Sequence, residues 1–181
     1  LHLIALTPEI PRIPMKRLSI SLLEEHLEKN RDGMVAPVPE PDSPEYDEYL
    51  DAVRLAMVLE GWIEELPEAE LYERFGVQPG DMAAVRETAE WISYSASQIA
   101  KVSGHTKFVL LFERLAERIR YGVREELLPL TRLKGIGRVR ARALYRAGYT
   151  SIEKLRTATI DELTRILGIG RKTAEKIFEQ I

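Results

Sequence analysis

Two copies of one short pattern lie in the last third of the chain. They are Leu133-Lys134-Gly135-Ile136-Gly137 followed by Ala141, and Leu167-Gly168-Ile169-Gly170 followed by Ala174, with equivalent glycines 33 residues apart. In each copy an apolar helix end runs into Gly-Ile-Gly, and a second helix starts at once with basic residues in its first turn. Glycine suits such a turn because it tolerates positive φ and lets another backbone come close. The amides at the start of the second helix can then face a phosphate, and the helix dipole favours that anion. A single Gly-x-Gly is common in turns, but two copies with matched apolar flanks and a matched small alanine are specific. The pattern is that of two repeated helical hairpins. Leu130, Leu133, Ala141 and Leu144 form the expected seam of the first hairpin, and Leu163, Ile166, Leu167, Ala174 and Ile177 that of the second.

The net charge of −3 hides an asymmetry. Residues 123–181 hold 13 Lys/Arg against 7 Asp/Glu, a net of +6, and residues 1–122 carry a net of −9. Arg138, Arg140 and Arg142 follow the first Gly-Ile-Gly, and Arg171 and Lys172 the second. Together with Gly135, Gly137, Gly168 and Gly170 they are the candidate phosphate-binding residues, since arginine can engage phosphate oxygens in bidentate fashion. Such contacts give salt-sensitive affinity with little sequence information. The alternatives are a solvated basic helix face and hairpins that only pack the domain or dock another protein.

Other chemistry is poorly supported. The chain has no cysteine, which excludes disulfides, thiol catalysis and cysteine zinc sites. His2, His26 and His105 are far apart, and Glu24-Glu25-His26 lacks zinc-protease spacing, so no metal site is expected. The acids from Glu40 to Asp51 lack the order and central glycine of a calcium loop. No nucleophile, base and orienting group form a catalytic constellation. No run approaches the roughly 20 apolar residues of a membrane span, and no signal peptide is visible. A cytoplasmic setting without membrane contact is the expectation.

The elements that must position these residues are helical. Residues 1–6, Leu-His-Leu-Ile-Ala-Leu, read as an edge strand without an initiator Met, as if cut from a larger protein, and Pro8, Pro11 and Pro14 impose an extended connector. Ser19 or Ser21 caps a helix over Leu22 to Lys29. Ser43-Pro44 opens a longer one, with Ser as N-cap and Pro first; Gly61 to Leu66 continues or breaks it. A short helix over Pro67 to Phe75, a turn at Gly76 to Gly80, and an N-cap at Asp81 lead into the longest helix. Another runs from about Thr106 to Tyr121. Gly148-Tyr149-Thr150-Ser151 reads as a helix stop and a new N-cap, with Ile152 to Arg156 as a connecting helix.

On a helical wheel for Asp81 to Ser103, Met82, Val85, Ala89, Ile92, Ala96 and Ile99 form the expected core face. Trp91 lies about 120° away at 100° per residue, among Ala84, Glu87, Tyr94, Ser95 and Gln98. An indole so placed can stack on an unpaired base, or it can pack beneath a neighbouring domain or loop.

The runs Leu71-Tyr72-Glu73-Arg74-Phe75-Gly76-Val77-Gln78-Pro79-Gly80-Asp81, Glu87-Thr88-Ala89-Glu90-Trp91, Gly122-Val123-Arg124-Glu125-Glu126-Leu127 and GIGRVRARALY, in that order, resemble the archaeal Hjm-type superfamily-two DNA helicases, relatives of animal HelQ. In that family two RecA-like motor domains and a winged helix precede a helical domain, whose long ratchet helix crosses single-stranded DNA. A helix-hairpin-helix domain then grips the strand. The resemblance implies residues 1–19 as connector from a winged helix, 20–122 as the ratchet domain and 123–181 as the tandem hairpin domain. It makes Trp91 the base-stacking residue. Family members carry an arginine two turns before this Trp; that position is Ala84 here, with Arg86 as the candidate substitute.

No G-x-x-x-x-G-K-[ST] loop occurs, so the chain carries no phosphate loop of an ATPase. No cofactor is expected in this chain, and ATP and Mg²⁺ belong to the motor domains of a parent protein. The reading is an all-α fragment, a helical bundle followed by a tandem helix-hairpin-helix. It binds single-stranded, forked or branched DNA for an ATP-dependent 3′ to 5′ helicase of repair or recombination. Its partners are DNA, the parent's motor domains and replication or repair proteins. The alternative is a protein-interaction or regulatory module without strong DNA binding of its own.

Overall fold

The computed structural model, which describes residues 1–181, is helical with no strand, and only some of its helices are capped by a side chain. Ser19 caps α2 (Ile20–Lys29) by accepting from the Leu22 amide. α3 (Glu45–Ile63) opens differently from expectation. Ser43 does not cap it, and its hydroxyl is buried without a partner. The Tyr46 amide instead donates to the Ser43 carbonyl at 3.2 Å, because Pro44 already has helical φ and ψ and closes the turn through the backbone. Gly61 does not break α3. A Cβ there would stand 2.7 Å from Leu66 Cδ1, so the missing side chain lets the following turn fold against the helix.

The chain divides into two units, Leu1–Arg120 and Tyr121–Ile181. Within the first, residues 1–6 are not a strand. His2–Ala5 form one helical turn, α1, with the Ala5 and Leu6 amides bonded to the Leu1 and His2 carbonyls at 3.0 Å. A strand there would lack a sheet to satisfy its backbone, whereas the turn satisfies itself and buries Ile4 and Ala5 in the core. Ile10 of the proline-rich stretch joins the same core. α3 packs against α1, α2 and α4 (Glu68–Phe75).

α5 (Pro79–Val102) starts two residues before Asp81, with Gln78 at the N-cap, so Asp81 serves in the first turn. Its buried side is Met82, Val85, Ala89, Ser93, Ser97 and Ala100. The expected face holds for the first half only: Ile92 and Ala96 are half-buried, and Ile99 is exposed. Burying the serines costs little because each hydroxyl turns back on the helix, Ser93 to the Ala89 carbonyl at 2.7 Å and Ser97 to the Tyr94 carbonyl at 2.6 Å. α6 (Thr106–Tyr121) tucks Ile119 into this unit's core. Trp62, buried in α3, donates its indole N–H to the Ile119 carbonyl at 2.7 Å.

The second unit has one core shared by both hairpins. The first hairpin is α7 (Leu128–Thr131), its turn and α8 (Arg138–Arg146). The second is α10 (Ile160–Thr164), its turn and α11 (Arg171–Phe178). α9 (Ile152–Arg156) connects them, capped by Ser151 after Gly148 at φ +97°. Leu130, Leu133, Ala141, Leu144, Leu163, Ala174 and Ile177 are buried as expected, and Ile166 is half-buried. Leu167 is not in the seam. It is 89% exposed, because the turn throws the residue before its first glycine outward.

The Trp62 tie predicts a large loss on Trp62→Phe. The smaller ring leaves a void in the core, and the Ile119 carbonyl loses its buried donor. Urea unfolding followed by circular dichroism is expected to show a loss of about 2 kcal/mol.

Candidate nucleic-acid interface

The two turns share one backbone design. Gly135 and Gly168 have φ of +84° and +81°, a conformation that penalises any side chain. The isoleucine that follows each is buried, at 2% exposure for both Ile136 and Ile169. Each donates its amide back to the helix before, to the Leu133 and Ile166 carbonyls at 3.0 Å. With the isoleucine anchored below, the second glycine and the next helix start stand at the surface.

Gly137 and Gly170 are the N-caps of α8 and α11. Both are extended with negative φ, and a Cβ on either would meet nothing within 4 Å. Nothing inside the protein demands glycine there. The contrast with the neighbouring helices is sharp. α9 is capped by the Ser151 side chain, and α10 carries a full capping box between Thr159 and Glu162. Hydrogen bonds from the Thr159 amide and hydroxyl hold the Glu162 carboxyl below its ordinary pKa. No side chain caps α8 or α11, so their first amides are offered to whatever approaches.

Arg171 is 73% exposed at the first position of α11 and pairs with Glu175 at 3.2 Å along the helix; Lys172 beside it is exposed. Arg138, half-buried, holds the equivalent first position of α8. Arg140 and Arg142 are engaged within the unit. Arg140 donates to the Gly135 carbonyl at 2.7 Å and to the Gly168 carbonyl at 2.9 Å. Arg142 bonds Glu126 at 2.9 Å with its guanidinium 5.3 Å from the Tyr145 ring centre. All three arginines fall within five residues of Gly137, so spacing alone does not show which partner each takes.

In the first unit Trp91 is 58% exposed on α5, and Tyr94, one turn on, is 54% exposed. Tyr94 thus shares the exposed side of α5 with Trp91, as the wheel places it. Arg86 does not accompany Trp91; its guanidinium lies over the buried Trp62 ring, 5.8 Å from the centre. No cluster of His, Asp and Glu gathers three potential metal ligands, and no helix is long and apolar enough to cross a membrane.

A helical unit with one long, partly exposed helix, and a second unit of duplicated glycine hairpins, together define a helical domain joined to a tandem helix-hairpin-helix. The profile of a SAM-like helix-hairpin-helix tandem matches residues 127–181. The profile described as archaeal helicase, domain 4, matches residues 1–122, and the chain belongs to that family. Among named relatives, an ATP-dependent DNA helicase Hel308 of Pyrococcus horikoshii is 40% identical over 182 residues, covering 100% of this chain and 25% of the relative. Proteins of the same name from Aeropyrum pernix and Pyrobaculum calidifontis are 39% and 36% identical, over 99% of this chain and 24% of each relative in both cases. The chain thus spans about a quarter of the length of these relatives.

Two substitutions separate the roles of the basic residues in the free protein. Arg142→Ala, which strips Glu126 of a partner in a half-buried pair, is expected to lower stability by about 1 kcal/mol. Arg171→Ala is expected to stay within about 0.5 kcal/mol of the parent. Chemical denaturation of the two variants side by side checks both values.

Proposed function

We propose that this chain is the DNA-gripping portion of an ATP-dependent helicase that moves 3′ to 5′ on forked or branched DNA during replication-coupled repair or recombination in the cytoplasm. The observation that carries this reading is the pair of uncapped helix starts behind Gly137 and Gly170, open in front and flanked by Arg138, Arg171 and Lys172. Each start supplies amides for a phosphate oxygen, and the neighbouring cations add charge-assisted bonds. The names of the relatives support DNA as the polymer. ATP and Mg²⁺ would be bound by motor domains outside this chain, which drive the strand; these residues hold it. Replication or repair proteins that recruit the parent complete the expected partners.

Trp91 takes the second part of the grip. An indole more than half exposed on a long helix offers a face to an unpaired base, and stacking there is indifferent to sequence. The 24-residue helix behind it is rooted in the core by Met82, Val85 and Ala89, so the ring is held on a rigid element.

One observation favours a second reading, in which the hairpins dock protein. Val139 and Leu167, beside the two turns, are 76% and 89% exposed. Fluorescence anisotropy of a labelled 3′-tailed fork, titrated with the 181-residue chain at several salt concentrations, distinguishes the two. A DNA grip predicts affinity that falls steeply with salt. Replacing Arg138, Arg171 and Lys172 together by Ala should lower the log–log slope by about 2–3, since each phosphate contact accounts for somewhat less than one. Trp91→Ala should weaken single-strand binding by about 1–3 kcal/mol and leave the slope alone. Absence of binding at low salt counts against the grip and for protein docking.

Gly137→Ala and Gly170→Ala sharpen the test. Both glycines have negative φ and open space, so stability is expected to change by less than about 1 kcal/mol. DNA affinity is expected to fall, because the new methyl stands where the phosphate must approach. Equal affinity for parent and variants would remove the phosphate from the turns.

A further inference from the structure

Gly135 and Gly168 hold the same place in the two repeats, and a single side chain addresses both of their carbonyls. Arg140 donates from Nη1 to Gly135 at 2.7 Å and from Nε to Gly168 at 2.9 Å. These two nitrogens point to different sides of one rigid guanidinium plane, so two equivalent carbonyls, one from each hairpin, are bridged by a single side chain. Arg140 therefore sits between the repeats at the point where their turns face each other. The position matching Arg140 in the second repeat is Thr173, so the clasp exists once and is supplied by the first hairpin alone.

A second tie runs the opposite way. Gln180, just after α11, accepts from the Lys134 amide at 2.7 Å and returns a longer bond to the Lys134 carbonyl at 3.4 Å. Each turn is thus held by a side chain from the other repeat. Gly137 and Gly170 follow the clasped carbonyls by two residues, through isoleucines that are themselves anchored in the core. Joining the turns consequently fixes the spacing of the two helix starts.

We propose that Arg140 is a positioning residue that sets the distance between the two phosphate-gripping turns, and is not itself a phosphate contact. This rests on the proposed DNA grip. Successive phosphates of a strand can engage both turns at once only if the turns already stand at the matching separation. A spacing held before binding spares the cost of ordering it on binding. Lysine keeps the charge but lacks the planar fork, so it cannot reproduce the clasp geometry.

The test uses Arg140→Lys and Arg140→Met in the whole 181-residue chain. In the free protein, both variants are expected to shift the amide resonances of Ile169 and Gly170 and speed their hydrogen exchange, although these lie far along the chain from residue 140. The core amides of Leu155 and Leu163 should keep their protection, showing that the unit stays folded. At temperatures where circular dichroism shows full folding, both variants should bind a 3′-tailed fork about 3–10-fold more weakly than the parent, with no rescue by lysine. An unmoved second turn together with parental affinity for Arg140→Lys would overturn the proposal and make Arg140 a direct phosphate contact. Parental affinity in Arg140→Met would overturn it as well. If the parent chain binds no DNA, the proposed function fails on its own, and the Ile169 and Gly170 resonances still decide whether Arg140 joins the turns.

Discussion

The second unit depends on two isoleucines held beneath their turns. Ile136 and Ile169 are flanked by glycine on both sides and are almost wholly buried. With the side chain fixed below, a positive φ at Gly135 and Gly168 lets the chain reverse, and the next helix must start at the surface. Ala141 and Ala174, both at 0% exposure, are small enough for that helix to lie close to the shared core. Remove the anchors and the amides of α8 and α11 would have no fixed direction. The direction of these backbone donors is in this sense a by-product of apolar packing: the core decides where they point.

A similar dependence organises the first unit around Trp62. Its indole ties α3 to the end of α6 through the Ile119 carbonyl and gives the Arg86 guanidinium a ring to lie on. Arg118 reinforces the same pairing by bonding Glu64 at 2.7 Å, just past the end of α3. Glu90 of α5 faces Arg120 of α6 at 3.8 Å, a longer and more exposed pair that adds less. α5 is thereby rooted on one side, and Trp91 and Tyr94 are left exposed on another. The two tryptophans of the chain have opposite roles, one a buried strut and one a surface ring, and chemistry alone does not tell them apart.

Most of the helical architecture was legible because its signals are local. Thr106 to Tyr121, the Ser19 and Ser151 caps, the Gly148 stop and the two glycine turns all follow from residues within one turn of each other. The failures are of a different kind. Residues 1–6 read as a strand from their apolar run, but a strand needs a neighbour and none is present, so one helical turn satisfies the backbone instead. The second half of α5 exposes Ile99 and buries Ser93 and Ser97, because small hydroxyl residues bonded to their own helix can be covered at little cost. The period places Leu167 in the seam, but the turn geometry points it outward.

The sequence by itself determined the all-helical class, the duplicated Gly-Ile-Gly turns and the basic character of the last 59 residues, since each depends on residue type and short-range spacing, whereas the exposure of Trp91 was settled only by the fold. It could not sort the arginines that follow the first turn. Arg138, Arg140 and Arg142 are chemically identical and lie within five consecutive residues, and the partners of Arg140 and Arg142, Gly168 and Glu126, come from other parts of the chain. Which guanidinium joins the two hairpins and which pairs with a carboxylate is decided only when the fold brings those distant groups within hydrogen-bonding distance.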